Sequence, residues 1–322
     1  MQTKDKILKI LEENSNQYIS GEDLALELNI SRTAIWKAIK QLKSLGYDIE
    51  GVSTKGYNLT KSGDILSKEK IQSMLNQNFD IVYFDEIDST NSYAKKLGEK
   101  AFNQTLIIAN EQGKGRGRMG RFFYSPKDLG VYFSLLLKPK IDATKSVMLT
   151  TLAAVSIAEV VEEMTDKKVS IKWVNDLLIE NKKFCGILTE GSISMENGEL
   201  NYAVVGMGVN IYKPKKGYPK NIENIATALF ENDQKQYDFK NKFIANVVNK
   251  FMLYYENIES LSYFNSYKKR SISLSKTVDV IKLNEVKRAK VLDLDENFSL
   301  VVQYENGDIE HLSSGEISIK DI

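Results

Sequence analysis

The segment Gly113–Arg121 constrains the fold of this 322-residue chain more than any other, because it sets glycines among cations. From Gly115 to Gly120 it reads G-x-G-x-x-G, which in a dinucleotide-binding fold opens a helix and precedes an acidic residue by about 20 positions. Here the strand-like run Val131–Leu137 follows, which predicts a loop between two strands and excludes a Rossmann turn. A Walker P-loop is excluded because no Gly-Lys-Ser/Thr ends the segment. The composition predicts a loop that closes on an anionic ligand, and a solvated basic hairpin tip is the alternative.

Two further motifs carry polar groups that suit a ligand site. Lys172–Asp176 reads K-W-V-N-D and is followed by Lys183 and Gly186, although an Asn-Asp pair between strands is by itself an ordinary turn. Asp88–Asn91 offers small neutral donors and acceptors, and it also has the composition of a helix N-cap. The cap and the ligand site are compatible interpretations of the same residues.

Together with Gln112, these motifs resemble those of the biotin protein ligase family, whose signatures run G-R-G-R-x-x-R and K-W-P-N-D followed by K-x-x-G. The resemblance spans essentially the whole chain. It departs at Val174, where the family usually has proline, and at Phe123, where a tryptophan often lies over the ligand. Neither departure removes a charged group.

The resemblance implies a two-step reaction with biotin, ATP and Mg²⁺ that forms biotinyl-5′-AMP. Biotin then passes to a lysine of the biotin carboxyl carrier domain of acetyl-CoA or pyruvate carboxylase. Such chemistry needs charge stabilisation and no enzyme nucleophile, so a chain whose single cysteine is Cys185 and single histidine is His311 can perform it. The same scarcity excludes a disulfide framework and a Cys/His zinc site, and we expect no metal site caged by protein side chains.

The resemblance also assigns roles to residues. Arg116 and Arg118 are expected to hold the carboxylate and phosphate, Lys183 to bind their junction, and Arg121 to support the phosphate side. The expected catalytic residues are Lys183, Arg118, Arg116 and Asp176. The expected biotin contacts are Ser89, Thr90, Asn91, Gln112, Gly115, Arg116, Gly117, Arg118, Lys183 and Gly186. The expected adenylate contacts are Arg118, Arg121, Phe123, Asn175, Asp176, Asn210 and Ile211.

The N-terminal residues predict a separate DNA-binding module with helix-turn-helix spacing. Ser20 and Ser31 are candidate caps of two short helices, and residues 47–59 alternate like a two-stranded wing. No acid interrupts residues 31–47, and cations on an exposed helix face can meet phosphates. A solvated helix face is the alternative interpretation. The expected DNA contacts are Ser31, Arg32, Thr33, Trp36, Lys37, Lys40 and Lys55.

The predicted fold class is α+β with three domains. A winged helix-turn-helix is expected over residues 1–66. Residues 67–270 alternate apolar strands with helices, the best helix being roughly Ala143–Met164 with one mostly apolar face. The resemblance makes this a mixed-sheet α/β domain of the class II synthetase/biotin ligase type. Short strands in residues 271–322, such as Thr277–Ile281, Ala289–Leu294 and Phe298–Tyr304, predict a small β-barrel, and the resemblance implies that it is SH3-like.

Residues 211–219 are rich in turn formers yet carry aromatic rings. They are expected to form a lid that orders over the adenylate, and a disordered connector is the alternative. No apolar run approaches the roughly 18 residues of a membrane span, so we expect a cytoplasmic protein with no membrane partner. The net charge is +1, so contact with nucleic acid must come from a local basic patch.

Three functional classes remain open at this point. The first is a bifunctional ligase and repressor, in which biotinyl-5′-AMP is the corepressor that promotes homodimerisation and operator binding. The second is a regulator with a ligand-sensing but inactive ligase domain, against which the retained Arg116, Arg118, Asp176 and Lys183 argue. The third is a lipoate ligase, a family that shares the central architecture but lacks the arginine-glycine loop and the N-terminal module.

Overall fold

The computed structural model describes residues 3–14, 17–44, 47–61, 64–101, 104–234, 236, 238–282, 285–313 and 316–319. The outer bounds of the predicted domains, residues 1 and 322, lie outside this range. The chain divides into two compact units, Met1–Ser67 with Lys235–Asn241 and Lys68–Gln234 with Lys242–Ile322. No helix in the described residues is long and apolar enough to cross a membrane.

The first unit contains three helices followed by a two-stranded antiparallel sheet. These elements are α1 (Thr3–Glu13), α2 (Gly21–Leu28), α3 (Arg32–Ser44), β1 (Asp48–Val52) and β2 (Gly56–Lys61). The predicted caps are confirmed: Ser20 Oγ accepts from Asp23 N at 3.0 Å and Ser31 Oγ from Ala34 N at 3.2 Å. A core of apolar side chains from all three helices, including Ile7, Leu24 and Ile39, holds the unit together. Burial of this face leaves the cationic face of α3 in solvent.

The second unit is built on a seven-stranded mixed sheet. Its helices are α4 (Lys68–Met74), α5 (Thr90–Leu97), α6 (Val147–Met164), α7 (Phe239–Tyr255, whose first turn belongs to the first unit) and α8 (Phe264–Arg270). Its strands are β3 (Asp80–Phe84), β4 (Thr105–Ala109), β5 (Gly130–Leu137), β6 (Ser170–Lys172), β7 (Asp176–Ile179), β8 (Lys182–Ile193) and β9 (Leu200–Asn210). The strand order is β3-β4-β5-β9-β8-β7-β6. The pair β3 and β4 is parallel and the other pairs are antiparallel.

The predicted helix over Ala143–Met164 is present, beginning as a 3₁₀ turn at Ala143–Ser146 before α6. Its burial differs from the prediction of one apolar face, because residues all around α6 between Met148 and Val161 are buried. Side chains of α7 and α8 lie against α6, as the ion pairs Lys250 to Glu163 and Arg270 to Glu162 record. The helix is therefore covered by the sheet on one side and by other helices on another.

The last strands form a five-stranded antiparallel sheet in the order β13-β12-β11-β10-β14. They are β10 (Thr277–Lys282), β11 (Glu285–Leu294), β12 (Leu300–Tyr304), β13 (Ile309–Leu312) and β14 (Glu316–Ile319). Phe298, which the sequence placed in a strand, instead has a left-handed φ of 58° in the loop before β12. Its ring is fully buried against Tyr263 and Tyr267, with ring centroids 5.4 Å away in each case. Its carbonyl accepts a 2.9 Å hydrogen bond from Trp173 Nε1, which ties this sheet to the K-W-V-N-D motif.

Candidate active site

The glycine and arginine segment joins β4 to β5, so the prediction of a loop between two strands is confirmed. The segment folds back on itself, since Phe123 N donates to Gly115 O at 2.9 Å and Gly117 N donates to Arg121 O at 2.7 Å. Met119 at φ 55° and Gly120 at φ 73° form the tip. Arg116, Arg118 and Arg121 therefore lie on a short hairpin whose two arms are joined by these backbone hydrogen bonds.

A cleft that is open to solvent lies beside this hairpin. The expected site residues that line it are Ser89, Thr90, Asn91, Gln112, Arg116, Gly117, Arg118, Phe123, Asn175, Lys183 and Gly186. The expected residues that do not line it are Gly115, Arg121, Asp176, Asn210 and Ile211. Lining residues that the sequence interpretation missed are Ile187, Leu188, Gly206, Met207 and Gly208.

One end of the cleft is built from neutral polar groups. Gln112 Oε1 accepts from Thr90 N at 2.9 Å and from Thr90 Oγ1 at 3.1 Å, while Gln112 Nε2 donates to Ser125 Oγ at 3.1 Å. The Ser134 hydroxyl lies 2.7 Å from both Thr90 Oγ1 and Asn91 Oδ1. These groups are held in place by one another, so they can meet a polar, uncharged ligand group without rearranging.

Ser89 also caps α5, because its Oγ accepts from Ser92 N at 3.4 Å. The cap interpretation of Asp88–Asn91 is therefore correct, and Ser89, Thr90 and Asn91 line the cleft as well. The turn that starts the helix places these side chains at the end of the cleft.

The other end of the cleft carries the cations. Arg118 Nη1 donates to Asn175 Oδ1 at 3.1 Å, and Lys183 Nζ donates to Asp176 Oδ1 at 2.6 Å. Asn175 Nδ2 in turn donates to Asp176 Oδ1 at 3.1 Å and to Ile187 O at 3.0 Å. The Asn-Asp pair thus positions both cations, and it does so from the turn between β6 and β7 that the sequence also allowed. The peptide bond between Trp173 and Val174 in this turn is cis.

Glycines form the floor of the cleft. Gly206 and Gly208 alternate on β9, so both face the same side of the sheet. A Cβ at 206 would lie 2.0 Å from Asn91 Oδ1, and a Cβ at 208 would lie 2.5 Å from Phe123 Cε1. The missing side chains let the Asn91 amide and the Phe123 ring lie directly on the strand. Glycine at alternate positions in an otherwise apolar strand is the sequence signal that could have identified this floor.

Residues 211–230 pack along the edge of the site. Lys183 N donates to Ile225 O at 2.7 Å, Thr227 N donates to Lys183 O at 2.9 Å, and Asn210 Nδ2 donates to Thr227 O at 3.0 Å. Within the segment the ring of Tyr218 is buried. The backbone N–H and carbonyl of Lys183 are thereby bonded to Ile225 and Thr227, which follow the segment expected to form a lid.

Glu190 lies on β8 next to the cleft, and the sequence interpretation gave it no role. Burial raises the pKa of its carboxyl, but hydrogen bonds from Lys95 and Asn91 and the nearby charge of Arg116 outweigh burial and lower the pKa below its ordinary value. Glu190 is therefore ionised at neutral pH.

The first unit presents an open groove between α3 and the β1–β2 hairpin. Arg32, Trp36 and Lys40 line it, and Lys40 Nζ lies 5.2 Å from the centroid of the exposed Trp36 ring. The other expected DNA contacts, Ser31, Thr33, Lys37 and Lys55, are exposed but do not line this groove.

Comparison with known proteins covers all three parts of the chain. Residues 83–210 match the Biotin/lipoate A/B protein ligase family, residues 3–58 match an HTH domain, and residues 274–320 match the Biotin protein ligase C terminal domain. The chain is 37% identical over 227 residues to the bifunctional ligase/repressor BirA of Bacillus subtilis, covering 69% of each protein. It is 32% identical over 198 residues to the bifunctional ligase/repressor BirA of Escherichia coli, covering 61% of this chain and 60% of that protein.

A similar fold is found in the biotin protein ligase from Aquifex aeolicus in complex with biotin and ATP. That structure has a TM-score of 0.61 and 26% identity, and the match covers 75% of this chain and 98% of that chain.

Proposed function

This chain belongs to the biotin protein ligase family, within which it matches the bifunctional ligase/repressors, and we propose that it activates biotin with ATP and then biotinylates a carrier protein. The observation that carries the proposal is the division of one cleft into a neutral end at Thr90 and Gln112 and a cationic end at Arg118 and Lys183. Biotin has the matching polarity, with a neutral ureido ring at one end and a carboxylate at the other.

In the first step a biotin carboxylate oxygen attacks the α-phosphorus of ATP and pyrophosphate leaves, which gives biotinyl-5′-AMP. The barrier includes the repulsion between two anions, and Arg116, Arg118 and Lys183 reduce it by neutralising both. The Lys183 ammonium has three donors, so it can bind the ligand while it keeps its bond to Asp176. In the second step a carrier lysine amine attacks the acyl carbon and AMP leaves.

Magnesium supplies charge neutralisation on the phosphates in this proposal. No group of three or more His, Cys, Asp or Glu side chains in the described residues could hold a metal ion. The carboxylate of Asp176, which accepts from Lys183, would help to hold an ion that arrives with ATP, and the phosphates and water would supply the other ligands. Arg121, Phe123, Asn210 and Ile211 are proposed to contact the adenylate when residues 211–224 order over it. Amide exchange in that segment that is unchanged by biotinyl-5′-AMP would refute the lid.

The assay for the first step is exchange of labelled pyrophosphate into ATP, in magnesium buffer, with biotin, lipoate or no added acid. Exchange that depends on biotin alone supports the proposal. Exchange with lipoate alone identifies a lipoate ligase, and no exchange with either identifies a regulator without turnover. The lipoate lane therefore separates the two alternatives.

The N-terminal unit is proposed to be a winged helix-turn-helix that binds operator DNA, with the β1–β2 hairpin as the wing. Arg32 and Thr33 at the start of α3 are placed to reach base edges, and Lys37, Lys40 and Lys55 to reach phosphates. We further propose that biotinyl-5′-AMP is the corepressor and drives homodimerisation, so that two α3 helices engage half-sites about 10 bp apart or a multiple of it. Sedimentation and DNA-binding anisotropy with and without the adenylate measure both effects.

The homodimer and the complex with the carboxyl carrier domain are proposed to bury the same sheet edge, so that one excludes the other by mass action. Saturating apo carrier domain should then lower operator affinity, and unchanged dimerisation and affinity would refute a shared surface. The C-terminal sheet is proposed to curl into an SH3-like barrel. The domain boundaries at residues 66 and 270 also remain predictions.

A further inference from the structure

Glu190 is an ionised side chain beside the cleft that the proposed chemistry does not use. Its Oε1 accepts from Lys95 Nζ at 2.8 Å and its Oε2 accepts from Asn91 Nδ2 at 3.0 Å. Arg116 Nη1 lies 3.9 Å from the same Oε1. The Glu190 side chain is only 18% exposed, so these three partners take up much of its surroundings. It thus contacts one residue from each end of the cleft.

The contact with Glu190 fixes the orientation of the Asn91 side-chain amide. Asn91 Nδ2 donates to Glu190 and also to Leu188 O at 3.1 Å, so its Oδ1 has to face Ser134. Asn91 is 4% exposed, and a buried amide turned the other way would set its oxygen against two acceptors. Glu190 thereby holds the polar, neutral end of the cleft in one hydrogen-bonding pattern.

The contact with Arg116 is of a different kind. At 3.9 Å, with 49% of the arginine side chain exposed, it is a loose ion pair that a ligand anion can replace. Lys95 is closer to the same carboxylate oxygen than Arg116 is. Lys95 therefore neutralises Glu190 and keeps its negative charge from repelling a carboxylate ligand.

We propose that Glu190 is a positioning residue for ligand binding, which fixes the Asn91 amide and serves as the resting counter-ion of Arg116 until an anionic ligand displaces it, while Lys95 screens its charge. This inference rests on the proposed function, because it takes biotin as the ligand of the cleft. It predicts that two substitutions change the preference for a charged ligand in opposite directions.

The test measures dissociation constants of the full-length protein for biotin and for biotinamide, which lacks the carboxylate. In Glu190→Gln the amide NH₂ of the new side chain faces the donor of Asn91 or of Lys95, so affinity for biotinamide should fall about 5- to 30-fold. The ratio of biotin affinity to biotinamide affinity should rise about two- to fivefold, because Arg116 no longer has a competing anion. The loss for biotin is smaller than that for biotinamide by this ratio, and the pyrophosphate exchange assay should show it as a raised KM for biotin with kcat within about threefold of wild type.

Lys95→Met is the matched variant. It keeps the carboxylate that holds Asn91 and removes the cation that screens it, so biotinamide affinity should stay within about twofold while biotin affinity falls about threefold or more. The affinity ratio therefore moves down in this variant and up in Glu190→Gln.

A ratio that is unchanged, or that moves the same way in both variants, overturns the inference, as does a lower kcat at constant KM. If Glu190→Gln does not fold, as judged by circular dichroism, Lys95→Met alone decides. A fall in its affinity ratio supports the inference, and an unchanged ratio overturns it. Failure of the wild-type protein to bind biotin or to give biotin-dependent exchange refutes the proposed function instead. The two failures are thus distinguished by the wild-type control.

Discussion

Gly208→Ala is expected to weaken ligand binding, because the added methyl group has no room on the floor of the cleft. A Cβ at 208 would lie 2.5, 2.9 and 3.0 Å from three carbons of the Phe123 ring, whereas carbons in contact lie about 3.5–4.0 Å apart. The ring must move by about 1 Å to restore that separation, and the open side is the cleft. Overpacking of this kind costs about 1–3 kcal/mol. If the strain is relieved into the cleft, affinity falls about 5- to 150-fold at 1.4 kcal/mol per factor of ten.

The assay is biotin-dependent pyrophosphate exchange, with KM determined for biotin and for ATP. Gly113→Ala is the matched control, in the loop between β4 and β5, because a Cβ there would meet only Asp88 Oδ1, at 3.8 Å, and both KM values should stay within about twofold. Phe123→Leu should restore part of the lost affinity for biotin in the Gly208→Ala background by making space. Unchanged KM values in Gly208→Ala, or no rescue in the double variant, would refute the reasoning.

Three further predictions concern the reaction, the fold and its pH dependence. Lys183→Ala should lower the exchange rate about 10²- to 10³-fold with an unchanged circular dichroism spectrum, and near-normal rates would contradict its assigned role. Phe298→Ala should cost about 3–5 kcal/mol, seen as a lower Tm, because its ring is fully buried; an unchanged Tm would show that the aromatic contacts add little. Burial raises the pKa of Glu162, but hydrogen bonds from Arg270 and Val169 N outweigh it and lower the pKa below its ordinary value of 4.5. The stabilisation from Glu162 is therefore present above about pH 4.5 and lost as pH falls. The Tm of Glu162→Gln should then fall less than that of the wild type as the pH is lowered below about 4.5. An equal fall in the two proteins would contradict this role of Glu162.

Local signals in the sequence were sufficient for features whose partners lie close along the chain. The caps at Ser20 and Ser31 depend on a backbone N–H three residues away, and the fold-back of Gly113–Arg121 depends on glycines within the segment itself. The division of the cleft into neutral and cationic ends could be predicted only because the family resemblance joined motifs that are far apart in sequence.

The features that were missed depend on contacts between distant residues. Asn91 and Glu190 are 99 positions apart, and no local pattern around Glu190 distinguishes a carboxylate that orients an amide from one on a solvated strand face. The burial of α6 on more than one side follows from helices that begin 75 or more positions after it ends. Phe298 leaves the predicted strand because its ring packs among Tyr263, Phe264 and Tyr267, and this tertiary packing overrides its local strand preference.

The hydrogen bond from Trp173 Nε1 to Phe298 O joins the turn that carries Asn175 and Asp176 to a loop 125 positions later. Exchange of C-terminal sheets between relatives would therefore alter the support of this turn unless the loop around Phe298 is transferred with its aromatic neighbours. A chimera joined between α8 and β10 takes Phe298 from one parent protein and Tyr263 and Tyr267 from the other. A chimera joined before Tyr263 takes all three residues from the same parent. The design of hybrid enzymes in this family should place the junction before Tyr263.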